Sequence, residues 1–182
     1  SQGVSAELVA AKWGISRQEL DEYSARSHER AHQAREAGLF RREILPIHTV
    51  NGVVDQDETI RPGTQASKLA ELKSPFENEA MSQRFPQIGW HVTAGNASQI
   101  SDGAAAMLIM SRRMADQLGL KPRARFVAFD VRGDDPLLML TAPISSSRKA
   151  IDKSGLKLEE IDHIEVNEAF ASVPLAWQRE FQ

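Results

Sequence analysis

The character of this chain changes at His91. Before it the sequence is polar and helix-forming, and after it apolar runs alternate with turn signals in the manner of an α/β unit. That shift constrains the fold most, because 182 residues can bury one substantial core or two small ones. It sets a boundary near residue 90, with a mainly helical part before it and alternating helices and strands after it. No internal repeat and no low-complexity tract complicates this division.

Local signals fill in the elements. Residues 4–12 are good helix formers, with Ser5 as the expected N-cap and Gly14 as the stop. Ser16-Arg17-Gln18-Glu19 is a capping box flanked by a hydrophobic staple of Ile15 and Leu20, and it opens a helix that Gly38 should end. Leu20, Tyr23, Ala31 and Ala34 share its narrow apolar face, while Arg17, Asp21, Arg30 and Arg35 are expected to point elsewhere. The β-branched residues 44–50, then Asn51-Gly52 and Val53-Val54, predict a hairpin, and Pro46 makes it an edge. Residues 55–90 read as an irregular excursion with a short helical run at 67–72. Beyond them come a short strand at 91–93, a turn of small residues at 94–98 and a buried apolar helix at 103–118 closed by Gly119. A strand at 123–131, a helix at 147–154 stopped by Gly155 and a strand at 163–166 follow, the last entering a helix at Asn167-Glu168-Ala169-Phe170.

Charge and composition narrow the functional classes. A net charge of −3 provides no basic footprint for nucleic acid. No apolar run approaches the roughly 20 residues that span a bilayer, and the polar N-terminus has no signal-peptide core, so a cytoplasmic protein without a membrane partner is expected. The opening Ser1-Gln2-Gly3, without Met or a leading strand, reads as a start at an element boundary. With no cysteine, the chain itself can form no disulfide, thiolate zinc site or thiol nucleophile.

His28-Glu29-Arg30-Ala31-His32 matches H-E-x-x-H, a spacing that places two imidazoles on one helix face where they could ligate zinc. Arg26, Arg30 and Arg35 would surround the dication, and no third ligand stands out downstream, so solvated helix-face histidines are expected and no metal is assigned. The run Thr93-Ala94-Gly95-Asn96-Ala97-Ser98-Gln99-Ile100-Ser101-Asp102-Gly103 has small residues at nearly every position. Such a turn lets backbone pass close to a ligand or to another backbone, and both readings stay open from pattern alone.

At this point the sequence resembles the thiolase family. The resemblance rests on the runs from Gly3 to Ile47, on Ile60-Arg61-Pro62-Gly63 and Leu69-Ala70-Glu71-Leu72-Lys73, on the 93–103 turn and on the Asn167-Glu168-Ala169-Phe170 motif, all in family order. It implies a partial α/β thiolase fold, layered α-β-α-β-α, with an inserted mainly helical loop domain. Residues 1–90 would be the coenzyme A-binding loop domain, 91–120 the end of the N-terminal half and 121–182 the start of the C-terminal half. The family's acylated cysteine, its second cysteine and its G-H-P histidine have no counterpart here, which implies that they belong to segments outside this chain.

Residue by residue, the resemblance implies that Asn167 is the asparagine that holds water at an oxyanion hole, with a buried cap as the rival role. It implies pantetheine contact for Ser98 and Ala94, nucleotide-end contact for Arg61, and apolar tunnel contact for Met139, Phe76 and Phe170, although Met and Phe at such positions also serve as core. Lys68 departs from a serine found in some members, and residues 77–90 exceed the matching stretch of short-chain members, which is compatible with a bulkier acyl chain. The implied activity is that of an acyl-CoA acetyltransferase that cleaves 3-ketoacyl-CoA with coenzyme A or condenses two acyl-CoA molecules. Coenzyme A would be a substrate, with no permanently bound cofactor, and a homo-oligomer is expected. The competing readings are a non-catalytic coenzyme A-binding or oligomerisation module and an HExxH zinc hydrolase.

Overall fold

The structure, a computed structural model, describes residues 1–182. Helix α1 (Gln2–Lys12) is buried over residues 3–10 and ends where Gly14 takes φ +61°, a conformation that favours glycine. Its N-cap position is Ser1, not Ser5: Ser5 lies inside the helix, buried, and its hydroxyl donates to the Leu137 carbonyl at 2.7 Å. Helix α2 (Arg17–Glu36) begins at the capping box expected of it, with the Ser16 hydroxyl accepting from the Glu19 amide and the Glu19 carboxylate accepting from the Ser16 amide. Ile15 and Leu20, the staple pair, are both fully enclosed.

The core joins the two ends of the chain. Ala6, Val9 and Ala10 of α1 pack with Phe170, Ala171, Val173 and Ala176 at and before helix α7 (Ser172–Phe181), and Ile15, Leu20 and Val92 complete the cluster. A smaller cluster sets Val4 and Leu8 on another side of α1 against Ile88, with Phe85 and Trp90 alongside. Helix α6 (Ala142–Ser154) lies against α7, where Trp177 Nε1 donates to the Ser147 hydroxyl at 3.0 Å. It ends as expected, with Gly155 in the left-handed region.

The only sheet is a hairpin of β1 (Ile47–Thr49) and β2 (Gly52–Val54), exposed on both faces. Its register pairs Thr49 with Gly52, so the turn is Val50-Asn51, one residue before the expected Asn51-Gly52, and Gly52 takes φ +123° as the first residue of β2. The helical run expected at 67–72 is a single turn, α3 (Ala66–Leu69), and α4 (Glu79–Arg84) follows, capped by the Asn78 side chain on the Met81 amide.

Beyond residue 100 the secondary structure departs from expectation. The buried helix foreseen at 103–118 is reduced to α5 (Arg112–Gln117), and Met107, Leu108 and Ile109 are exposed. The segments 123–131 and 163–166 run without a strand partner, and Phe126, Val127 and Val131 face solvent. A strand exists only through hydrogen bonds to a neighbouring strand, and neither segment pairs with another strand of this chain. The expected helix at Asn167 also starts later, at Ser172, because the Ala169 carbonyl and the Ala171 amide are engaged by the 96–98 turn.

Candidate functional site

The turn at 93–98 is held by buried charge. Asp21, expected on an outer face of α2, is instead buried: its carboxylate accepts from Arg17 Nε at 2.7 Å and from Asn96 Nδ2 at 2.8 Å. Asn96 also donates to the His91 carbonyl at 3.0 Å, and its Oδ1 accepts from the Thr93 amide at 2.9 Å, which closes the turn. Arg17 Nη2 donates to the carbonyls of Leu69 and Leu72 at 2.6 and 2.9 Å and so ties the α3 segment to the same point. A Cβ on Gly95 would collide with the side chains of Leu69 and Leu72, so the small residue here serves close packing of that segment. Buried Glu7 holds the approach to the turn, its two oxygens accepting from the amides of His91 at 2.9 Å and Val92 at 2.6 Å. Burial raises its pKa above the ordinary carboxylate value, and those two amides offset part of the rise.

An antiparallel bridge then fixes the Asn167-Glu168-Ala169-Phe170 motif against this turn. The Ser98 amide donates to the Ala169 carbonyl and the Ala171 amide to the Asn96 carbonyl, each at 2.9 Å. The result is a cleft of ≈ 290 Å³ between one face of α2 and the two loops, with Ser98, Asn167, Glu168, His28, Thr59 and Tyr23 among its walls. Tyr23 Oη and Ser27 Oγ donate to the two oxygens of Glu168, each at 2.7 Å. Burial, then Glu168, raises the Tyr23 pKa and keeps the phenol protonated. His28 Nδ1 lies 3.3 Å from the Arg61 amide, within reach of a hydrogen bond, and burial, reinforced by the Arg61 charge, lowers the His28 pKa. Across the cleft mouth Gln99 Nε2 donates to the Thr59 carbonyl at 3.0 Å.

Of the residues singled out from sequence, the structure brings Ser98 and Asn167 together in this cleft and places Arg61 at its edge beside His28. Ala94 is exposed on the same turn, outside the cleft lining. Phe170 is in the core, and Phe76 packs edge-on to it at 6.4 Å between centroids and rests on Gly3, so both act here as packing residues. Met139 is away from the cleft, exposed in a turn with φ +36°. Residues 77–90 pack on α1 and contribute nothing to the cleft. Sequence reasoning had treated His28 only as a metal candidate and had missed Tyr23, Ser27, Glu168 and Thr59 as cleft residues. An α2 face read for hydroxyls at i and i+4 spacing would have found Tyr23 and Ser27. The two histidines of the HExxH run are engaged separately, His28 with the Arg61 amide and His32 with Arg35. No group of three His, Cys, Asp or Glu side chains arranged to hold a metal occurs in the chain.

Two family profiles account for nearly all of the sequence: the thiolase N-terminal domain matches residues 1–113 and the thiolase C-terminal domain residues 120–182. The chain belongs to the thiolase family. It is 44% identical over 178 residues to a 3-ketoacyl-CoA thiolase of Marinobacter nauticus, covering 95% of this chain and 43% of that protein. It is 43% identical over 182 residues to the steroid 3-ketoacyl-CoA thiolase FadA6 of Mycobacterium tuberculosis, covering 100% of this chain and 42% of that one. Among solved structures, the acetyl-CoA acetyltransferase of Bacillus anthracis superposes with a TM-score of 0.87 at 38% identity over 98% of this chain and 44% of its own. The dimeric peroxisomal thiolase of Saccharomyces cerevisiae superposes at 0.89 with 36% identity, over 100% of this chain and 44% of its own. The fold is therefore a partial α/β thiolase fold, and this thiolase chain spans less than half the length of the relatives it matches.

Proposed function

We propose that this chain is the coenzyme A-binding segment of a thiolase that cleaves 3-ketoacyl-CoA with coenzyme A or condenses two acyl-CoA molecules. Residues 1–90 then form the coenzyme A-binding loop domain, 91–120 the end of the N-terminal half and 121–182 the start of the C-terminal half. The observation that carries the reading is the cleft itself, in which α2, residues 59–60, the 95–99 turn and the Asn167-Glu168 loop converge from four separated parts of the sequence. In it Ser98 contributes a hydroxyl for the amide-bearing pantetheine arm, Arg61 a guanidinium for the nucleotide end, and Asn167 an amide donor toward water or a developing oxyanion. Ala94, Phe76, Phe170 and Met139 take at most a supporting part in coenzyme A binding, through the tunnel walls.

Since the chain has no cysteine, the acyl-accepting thiolate of the reaction is supplied from outside these residues, and the chain alone binds coenzyme A without turning over acetoacetyl-CoA. No permanent cofactor is required, because coenzyme A is itself consumed or released. The exposed apolar residues at 107–109 and 126–131 favour association, so a homo-oligomer or a non-catalytic association module is the second reading. The zinc-hydrolase reading has no gathered ligand set to support it.

Calorimetric titration of coenzyme A into the chain tests the proposal. Saturable binding weakened by Ser98→Ala and by Arg61→Ala, with no acetoacetyl-CoA cleavage, is expected. Binding unaffected by both substitutions would remove this cleft as the coenzyme A site.

A further inference from the structure

Glu168 is held in an unusual way. Its two oxygens each accept one short hydrogen bond from a neutral hydroxyl, Tyr23 Oη and Ser27 Oγ at 2.7 Å, and no Lys, Arg or His nitrogen lies within ion-pair distance. A carboxylate placed to balance charge would face a cation. One gripped by two hydroxyls on successive turns of a helix is fixed in direction, since both of its oxygens are committed. The other side of the motif is fixed by the Ala97–Phe170 bridge. Asn167 directly precedes the first of these grips, and its side chain lines the cleft and makes no hydrogen bond to the protein.

We propose that the Tyr23–Glu168–Ser27 clamp positions Asn167: α2 grips Glu168 so that the neighbouring amide is presented to the cleft without being consumed by a protein partner. Glu168 is a positioning residue and Tyr23 and Ser27 are its anchors. The inference rests on the reading of Asn167 as the residue that meets the ligand. It adds that helix α2 controls where that residue stands, which couples the loop segment to the motif across more than 140 positions of sequence. The raised pKa of Tyr23 agrees with a hydroxyl that stays a donor to Glu168 at every physiological pH.

Tyr23 is the sole tyrosine, so its ring 13Cζ resonance reports the clamp without assignment ambiguity. The test compares wild type with Glu168→Ala, Glu168→Gln and the double variant Tyr23→Phe/Ser27→Ala, all in the 182-residue chain. It reads the Tyr23 resonance where tyrosine is retained, amide exchange at Ser98 and Ala171, exchange in α1, and the coenzyme A dissociation constant. Loss of both hydroxyl bonds in Glu168→Ala is expected to shift the Tyr23 resonance and to speed exchange at Ser98 and Ala171 by roughly tenfold, the equivalent of ~1.4 kcal/mol. Exchange in α1 should stay unchanged. Glu168→Gln, which keeps an acceptor for Tyr23 and a donor for Ser27, should stay within about threefold of wild type, a factor below that ~1.4 kcal/mol step. A chain that binds coenzyme A should lose affinity in Glu168→Ala and in the double variant and regain it in Glu168→Gln. Exchange and resonance unchanged in Glu168→Ala would overturn the clamp. So would an equal loss of protection in α1, which would make Glu168 a general structural tie. If wild type binds no coenzyme A, the proposed function falls, while the resonance and exchange results still decide the clamp.

Discussion

Two regions of this chain have similar apolar content and opposite fates. Around α1 and α7, Val9, Leu20 and Val92 are fully enclosed, whereas Leu108, Phe126 and Val131 in the 100–135 region stand largely in solvent. The difference is one of partners, not of hydrophobicity. Residues of α1 find α7, the segment before it and the 88–93 segment, and buried Glu7 and Asp21 tie those pieces down. The 103–110 and 123–131 segments find no neighbouring strand, and their apolar side chains are left in solvent. Burial of an apolar residue is thus a property of what lies beside it, and the cleft sits on the side of the molecule that has partners.

Leu20→Ala breaks the comparison most directly. The side chain is fully buried beside the capping box, so its truncation should cost about 2–5 kcal/mol in a denaturant titration. Leu108→Ala, at 77% exposure, should stay within about 0.5 kcal/mol. Equal costs would mean that the two regions do not differ in packing. Comparable in size is Glu7→Ala, which leaves the amides of His91 and Val92 without an acceptor, at about 1–3 kcal/mol for each.

The pH dependence of Glu7 has a definite sign. Because its folded pKa lies above 4.5, its contribution is fully present below that value and is lost as pH rises through the folded pKa. The stability difference between wild type and Glu7→Gln should therefore move against wild type as pH rises from 4.5, and a difference that moves the other way would exclude burial as the dominant influence on this carboxyl. Ser16→Ala should remove the α2 cap for about 1 kcal/mol, read as a lower Tm. The smallest effect belongs to Ser172→Ala: its hydroxyl is fully buried with no partner, so the substitution should leave Tm unchanged or raise it slightly.

What was legible in the sequence was local. The capping box, the staple and the glycine stops at Gly14 and Gly155 are all determined within a few residues, and all are present. The family resemblance was legible too, through motifs whose order survives in the fold. What could not be read was set by distant partners: whether 103–118 would be a buried helix, whether 123–131 would pair, and where α7 would begin once residues 169–171 were drawn into the bridge with residues 96–98. Asp21 was misplaced for the same reason, since its burial depends on Asn96, although the Arg17–Asp21 spacing on one helix face was available as a signal. Of the cleft's lining residues, Ser98 and Asn167 are ones that the sequence singles out, whereas the Tyr23 and Ser27 grip on Glu168 joins parts of the chain that no local pattern connects.

The most direct test of the account is a coenzyme A titration into the 15N-labelled chain, followed amide by amide. Saturable shifts concentrated at residues 23–31, 59–61, 95–99 and 167–171, with the 47–54 hairpin and the 123–131 segment unmoved, are the predicted result. Shifts confined to the exposed apolar segments, or none at saturating ligand, would contradict the assignment of this cleft to coenzyme A.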